Sequence, residues 1–209
     1  SGGSQIRVTT RHSAGLGETL RITFGGRPLA RAFMEDPYGC LFDEWSPESA
    51  RDRHLAVGIL SALRLEPSQI VVTTPSDAYR PLTLTVHSIQ DEALSVMDEP
   101  EARQVTDVTI LGLKSAERLA ALIRNRCAAS PIPIEIDGAE IPRATPEKNP
   151  AARVEDGALR ILLFLPLRTG PSRGVETACC GVSVEALVDD RLKGLAGFIN
   201  DDEFPLNAS

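Results

Sequence analysis

Histidine and serine side chains are the first candidates for chemistry in this sequence, because together they can form the proton relay of a hydrolase. The chain contains three histidines, His12, His54 and His87, and Ser61 or Ser76 could act as the nucleophile. No G-x-S-x-G segment, the motif that exposes a nucleophilic serine between a strand and a helix, occurs in the sequence. We therefore interpret the scattered histidines as surface or core residues, and we predict no catalytic residue.

Metal binding is the second chemistry to consider. The four cysteines, Cys40, Cys127, Cys179 and Cys180, include no C-x-x-C pair, so a zinc site is not expected. The acidic residues 201–203 lack the spacing of a calcium-binding loop. We predict no metal site and four reduced thiols. Cys127 should be buried on the apolar face of a helix, and one of the two adjacent cysteines should be accessible on a strand.

Composition and charge narrow the class of protein. The chain has 209 residues, of which 42% are hydrophobic and 24% charged, with a formal net charge of −7. This negative balance argues against a nucleic-acid partner, which requires a basic surface. No apolar run approaches the length of a membrane span, and no signal peptide is evident, so we expect a cytoplasmic protein without a membrane partner. Residues 1–4, SGGS, resemble a linker and are excluded from the fold prediction.

The order of predicted elements favours an α+β fold. Apolar residues alternate with polar ones in several segments, which is the pattern of half-buried strands. Predicted strands cover residues 5–10, 19–24, 68–74, 82–89, 105–111, 159–167 and 175–184. Residues 50–65 and 115–129 have helical spacing, and Ser115 is placed to cap the second helix. Asp137-Gly138 predicts a tight hairpin turn within residues 131–141. The polar segment 144–156 is the predicted linker between two domains.

The most specific motif lies in residues 190–209, which read DRLKGLAGFINDDEFPLNAS. This segment resembles the middle-domain signature of the heat-shock protein 90 chaperones, roughly L-x-F-V-x-G-V-V-D-S-x-D-L-P-L-N-x-S. The positions that match this signature are Gly197, Ile199, Pro205, Leu206, Asn207 and Ser209. In that family the next residue is an arginine that reaches toward the nucleotide. We therefore expect this chain to be a piece of a longer protein.

A second resemblance to the same family lies in residues 55–63, LAVGILSAL. The family has F-G-x-G-F-Y-S-A at the turn and helix start that hold the nucleotide phosphates. Val57, Gly58, Ser61 and Ala62 match this motif, whereas Ala56 replaces its first glycine. Glycine suits such a turn because the backbone must approach the phosphate closely at a helix N-terminus. The alternative interpretation is an ordinary apolar helix that contains one glycine.

The adenine end of the expected pocket departs further from the family. Residues 20–29, LRITFGGRPL, are similar to the L-x-I-x-D-N-G-x-G-M motif of the GHKL superfamily, and Gly26 matches one of its glycines. Phe24 stands where that motif has the aspartate that accepts the adenine amino hydrogen bond, which a phenyl ring cannot do. Thr106 aligns with the threonine that closes the pocket. Residues 161–166, ILLFLP, resemble the strand that opens the middle domain.

The resemblance implies a GHKL-like antiparallel sheet layered with helices over residues 5–143, a linker over 144–156, and the start of a middle-domain-like α/β unit over 157–209. It implies a heat-shock protein 90-like chaperone or ATP-binding protein with an impaired pocket. The vestigial nucleotide-binding residues would be Gly26, Gly58, Ser61 and Thr106. ATP and Mg²⁺ would bind weakly or not at all. Client or partner proteins are the expected partners, and the full-length protein could form a homodimer. The alternative is a non-enzymatic interaction module on the same scaffold.

Overall fold

The computed structural model describes residues 5–13, 17–42, 49–75, 81–88, 90–96, 104–128, 130, 132–142, 150–157, 159–165, 174–179, 182–187, 189–192 and 194–201. The chain divides into two compact units. The described residues of the first lie within 5–120 and 135–139, and those of the second lie within 121–134 and 140–201. Strands and helices occur together, so the α+β class is confirmed.

An eight-stranded sheet is the main element of the first unit. Its strands are β1 (Ile6–Ser13), β2 (Gly17–Phe24), β3 (Gln69–Thr74), β4 (Leu82–Ser88), β5 (Asp91–Val96), β6 (Thr106–Leu113), β7 (Ile134–Ile136) and β8 (Ala139–Glu140). Their order across the sheet is β5-β4-β3-β6-β2-β1-β7-β8. The pairs β1–β2, β2–β6, β6–β3, β3–β4 and β4–β5 are antiparallel. The alternation of apolar and polar residues therefore predicted β1, β2, β3, β4 and β6 correctly, whereas β5 was not predicted.

The two faces of this sheet differ in chemistry, because successive residues of a strand point to opposite sides. One face carries buried apolar side chains on the central strands, among them Leu20, Ile70, Val72, Val108 and Ile110. The registers place these residues beside one another, since Ile110 is paired with both Leu20 and Ile70. The opposite face carries mainly threonine, arginine and aspartate. We call the first the apolar face and the second the polar face.

The α-helices in the described part of the chain are α1 (Arg31–Glu35), α2 (Ala50–Leu63) and α3 (Ala116–Arg126). α1 lies against β4 and β5 and buries Phe33 and Met34. At the start of α3 the Ser115 hydroxyl accepts a hydrogen bond from the Arg118 amide, so the predicted cap is confirmed. The carboxylate of Glu18 accepts a hydrogen bond from the backbone amide of Ala116. Among the described residues, no helix is both long enough and apolar enough to cross a membrane.

The hairpin between β7 and β8 turns at Asp137-Gly138, as the sequence predicted. Both residues have positive φ angles, 50° and 84°, the conformation required by the tightest hairpin turns. Asp137 also ties the turn to β1. Its carboxylate accepts hydrogen bonds from the backbone amide of Thr10 at 2.7 Å and from the Thr10 hydroxyl at 2.9 Å. A single aspartate thus provides the turn geometry and a long-range contact.

The second unit contains a five-stranded sheet. Its strands are β9 (Ala152–Asp156), β10 (Leu159–Phe164), β11 (Val175–Cys179), β12 (Val182–Leu187) and β13 (Ala196–Asp201), in the order β12-β11-β13-β10-β9. β11 and β13 are parallel, whereas the other pairs are antiparallel. Residues 152–156, at the end of the predicted linker 144–156, form β9 and pair with β10. A 3-10 turn over Asp190–Leu192 precedes β13.

The thiols follow the sequence expectation in part. Cys179 is buried on β11. Cys127, just after α3, is half-buried rather than fully buried, and its burial raises the pKa of the thiol. A raised pKa lowers the fraction of reactive thiolate at neutral pH, so we expect Cys127 to be alkylated slowly. Cys180 lies outside the described residues.

Gly197 allows β13 to approach β10 closely. Its φ of 150° is rare for residues with a side chain, and a Cβ atom there would overlap the carbonyl oxygen of Leu162. We expect Gly197→Ala to lower the free energy of unfolding by about 3 kcal/mol or more, since overlap and backbone strain add. Gly194→Ala is the matched control: its φ is 81°, but nothing lies near its Cβ position. Urea denaturation of both variants measures the difference, and equal losses would contradict the close approach.

Candidate functional site

Thr106 belongs to a buried cluster of hydrogen bonds on the apolar face of the first sheet. It lies at the start of β6, and its hydroxyl is 3.0 Å from the hydroxyl of Thr74 at the end of β3. The Thr74 hydroxyl also accepts a hydrogen bond from the backbone amide of Leu29 at 2.9 Å. Thr74 and Thr106 are almost completely buried. The hydroxyl that the family resemblance assigns to a nucleotide is therefore engaged by the protein itself.

Gly26 lies in the turn that follows β2. Its φ of 122° is accessible mainly to glycine, and the space where a Cβ atom would lie is open. The turn leads to Leu29, whose amide joins the buried cluster. Phe24, at the end of β2, is half-buried and pairs with Thr106 across β2 and β6. The side chain that replaces the family's aspartate therefore lies on the same face as Thr106 and next to it.

Gly58 and Ser61 lie together on α2, three residues apart and both exposed. Gly58 is the ninth residue of this helix rather than part of a turn before it. Only the first amides of a helix are free to bind an anion, because interior amides donate to carbonyls four residues earlier. The sequence-based placement of Gly58 at a phosphate-binding helix start is thus corrected. Its surroundings fit the alternative, an ordinary helix that contains one glycine.

The polar face of the same sheet contains a charged group that the sequence analysis missed. The Asp107 side chain is only 6% exposed. It accepts two hydrogen bonds from the Arg21 guanidinium, from Nε at 3.0 Å and from Nη2 at 2.7 Å, and a third from the Thr23 hydroxyl. The hydrogen bonds from Arg21 to Asp107 raise the pKa of the guanidinium, which therefore stays charged. A carboxylate in the middle of the strand segment VTDVTI was the available signal for this group.

A shallow cleft of about 280 Å³ surrounds this ion pair. Its lining is formed by threonines, two arginines and one carboxylate: Thr9, Arg11, Thr19, Arg21, Thr73, Asp107 and Thr109. Register explains how they meet, because Arg21 is directly opposite Thr9 on β1 and Thr109 on β6, while Arg11 is opposite Thr19. We call this feature the polar cleft. None of the four residues predicted to bind nucleotide lines it.

Substitution of Thr106 tests the structural role of its hydroxyl. We expect Thr106→Val to lower the free energy of unfolding by about 1–3 kcal/mol, because it removes a buried hydrogen-bond partner of Thr74. Thr106→Ser, which keeps the hydroxyl, should lower the free energy of unfolding by a smaller amount. Thr109→Val is the control on the same strand, where the hydroxyl is half-buried. Chemical denaturation compares the three variants. Equal losses of unfolding free energy in Thr106→Val and Thr109→Val would show that the buried hydrogen bond contributes nothing to stability.

Substitution of Gly58 tests its placement inside α2. Because the site has open space and helical backbone, Gly58→Ala should raise the free energy of unfolding by about 0.5–1 kcal/mol. Gly138→Ala is the control with the opposite expected sign. It should lower the free energy of unfolding, because the positive φ of Gly138 in the hairpin turn disfavours a side chain. Thermal or chemical denaturation measures both. A destabilising Gly58→Ala would contradict the helical setting and favour a tight turn around a ligand.

Comparison with known proteins does not assign the chain to a family. No protein-family model matches the sequence, and no curated protein matches it with significant similarity. The resemblance to the heat-shock protein 90 family therefore rests on the motifs quoted above.

Proposed function

We propose that this chain is a heat-shock protein 90-like scaffold of the GHKL type with an impaired nucleotide pocket, and that it acts by binding partner proteins. The observation that carries the proposal is the hydrogen bond between the hydroxyls of Thr106 and Thr74. In an intact pocket the aligned threonine would face the ligand. Here a nucleotide would have to displace a satisfied hydrogen bond, which costs free energy without a matching gain.

The adenine end of the pocket supports the same proposal. An aspartate at position 24 would accept the amino group of adenine, whereas Phe24 offers no acceptor and more bulk. The half-buried ring occupies space next to Thr106 on the apolar face. Loss of a charge-assisted hydrogen bond alone weakens binding by roughly 1.5–3 kcal/mol. The phenyl ring fits a packed interior better than an adenine site.

The phosphate end gives independent support. Gly58 and Ser61 are on the exposed side of α2, and the amide of Gly58 lies in the interior of the helix. Interior amides are committed to helical hydrogen bonds and cannot also bind a phosphate. The residues at both ends of the expected pocket therefore do not fit ATP and Mg²⁺, and we derive no hydrolytic step for this chain.

Exposed apolar residues on an edge strand favour the interaction part of the proposal. β12 is the terminal strand of the five-stranded sheet. Val182 and Val184 on this strand are 43% and 40% exposed, and residues two apart share one face. The exposed valines offer apolar surface to a partner, while the carbonyls of Ser183 and Val184 already accept hydrogen bonds from Arg126. Protein recognition would therefore use the scaffold without requiring a nucleotide.

Calorimetric titration with ATP and Mg²⁺ tests the impaired pocket. The lost carboxylate and the extra bulk of Phe24 should weaken ATP at least about a hundredfold relative to an intact pocket. We therefore expect no low-micromolar binding and no phosphate release. GTP with Mg²⁺ is the control, because its base lacks the adenine amino group. A low-micromolar dissociation constant specific to ATP would overturn the proposal and would instead favour an active chaperone-type ATPase.

A further inference from the structure

We propose that the polar cleft of the first sheet is a binding site for a small oxyanion of the phosphate class. The cleft contains two guanidinium groups and one carboxylate, so its formal charge is positive in a chain whose net charge is −7. It lies on the sheet face opposite Thr106, since adjacent residues of β6 point to opposite sides. Phosphate binding here and ATP binding at the predicted pocket are therefore separate outcomes.

Arg21 is held in place before any ligand arrives. Asp107 engages its Nε and Nη2 atoms, which fixes the plane of the guanidinium and leaves the N–H groups of Nη1 for other acceptors. The Arg21 side chain is 45% exposed, whereas Asp107 beneath it is nearly inaccessible. The carboxylate oxygens are already bonded to Arg21 and Thr23, so a cation would have to displace these partners. The accessible part of the pair is thus its positive side.

Arg11 supplies the charge that Asp107 does not neutralise. It is exposed on β1 and forms no ion pair within the part of the chain that the structure describes. Arg11 is opposite Thr19, and Thr19 lies two residues before Arg21 on the same face of β2. Neighbouring positions on one sheet face are about 4.5–8 Å apart, which suits two guanidinium groups that bind one anion. Arginine is the side chain best matched to planar, bidentate contact with phosphate.

Threonine hydroxyls complete the lining. Those of Thr9, Thr19 and Thr109 have no hydrogen-bond partner among the described residues, whereas Thr73 is bonded to Thr83. A hydroxyl can donate to an anionic oxygen while its own oxygen stays solvated. The volume of about 280 Å³ is below the usual range for drug-sized ligands. Free phosphate or a small phosphomonoester therefore fits the cleft better than a large cofactor.

Titration of the isotope-labelled chain with inorganic phosphate, followed by amide NMR shifts at constant ionic strength, tests the proposal. We expect saturable shifts at Thr9, Arg11, Arg21 and Thr109. Arg11→Gln should weaken phosphate binding about tenfold, because it removes a charge-assisted contact. Arg7→Gln is the matched control, since Arg7 is an exposed arginine on the same strand and face but outside the cleft. It should leave the affinity unchanged.

Further titrations identify the source and class of the anion. Methyl phosphate that binds as well as inorganic phosphate would show that a phosphomonoester is accepted, and weaker binding would assign the site to free phosphate; both support the proposal. Acetate binding as tight as phosphate binding would contradict the phosphate class. Linear, non-saturating shifts, or equal weakening by Arg7→Gln and Arg11→Gln, would overturn the site itself. The dispersion of the amide spectrum verifies that each variant is folded, and Arg11→Lys should keep part of the affinity.

Discussion

A carboxylate buried within a sheet is the constraint on which the first unit depends. Asp107 has lost most of its contact with water, so its charge requires hydrogen bonds from the protein. Arg21 and Thr23 on β2 donate them. This pairing also specifies the register of β2 against β6, because a slip of one residue would turn the carboxylate toward the apolar face. The arrangement of the central strands and the position of the polar cleft follow from it.

The central strand β6 carries two different kinds of hydroxyl chemistry. Thr106 points to the apolar face, where it is bonded to Thr74 and closed to solvent. Thr109 points to the polar face, where its hydroxyl borders a cleft. Both residues are threonines, but the Thr106 hydroxyl already has a hydrogen-bond partner, whereas the Thr109 hydroxyl is available to a ligand. This contrast is the physical basis for assigning structure to one face and ligand binding to the other.

The edges of the five-stranded sheet are also unlike. β9 is exposed along its whole length, and Arg153 and Glu155 on this strand form an ion pair. Charged side chains on an edge strand discourage pairing with another chain. β12 instead presents Val182 and Val184, while Arg126 donates hydrogen bonds to the carbonyls of Ser183 and Val184. The exposed valine side chains of β12, rather than its backbone edge, are therefore the surface suited to a protein partner.

Local patterns in the sequence were sufficient for most strands, for α2 and α3, and for the Asp137-Gly138 turn, because alternation, capping and turn preference act over a few residues. They failed for β9, a polar segment that forms a strand only through its pairing with β10. The predicted helix over residues 50–65 already placed Gly58 in a helix interior, and only the family resemblance implied a helix start there. Local sequence patterns could not predict the polar cleft. Its residues come from β1, β2, β3 and β6, and only the tertiary pairing of these strands brings them together.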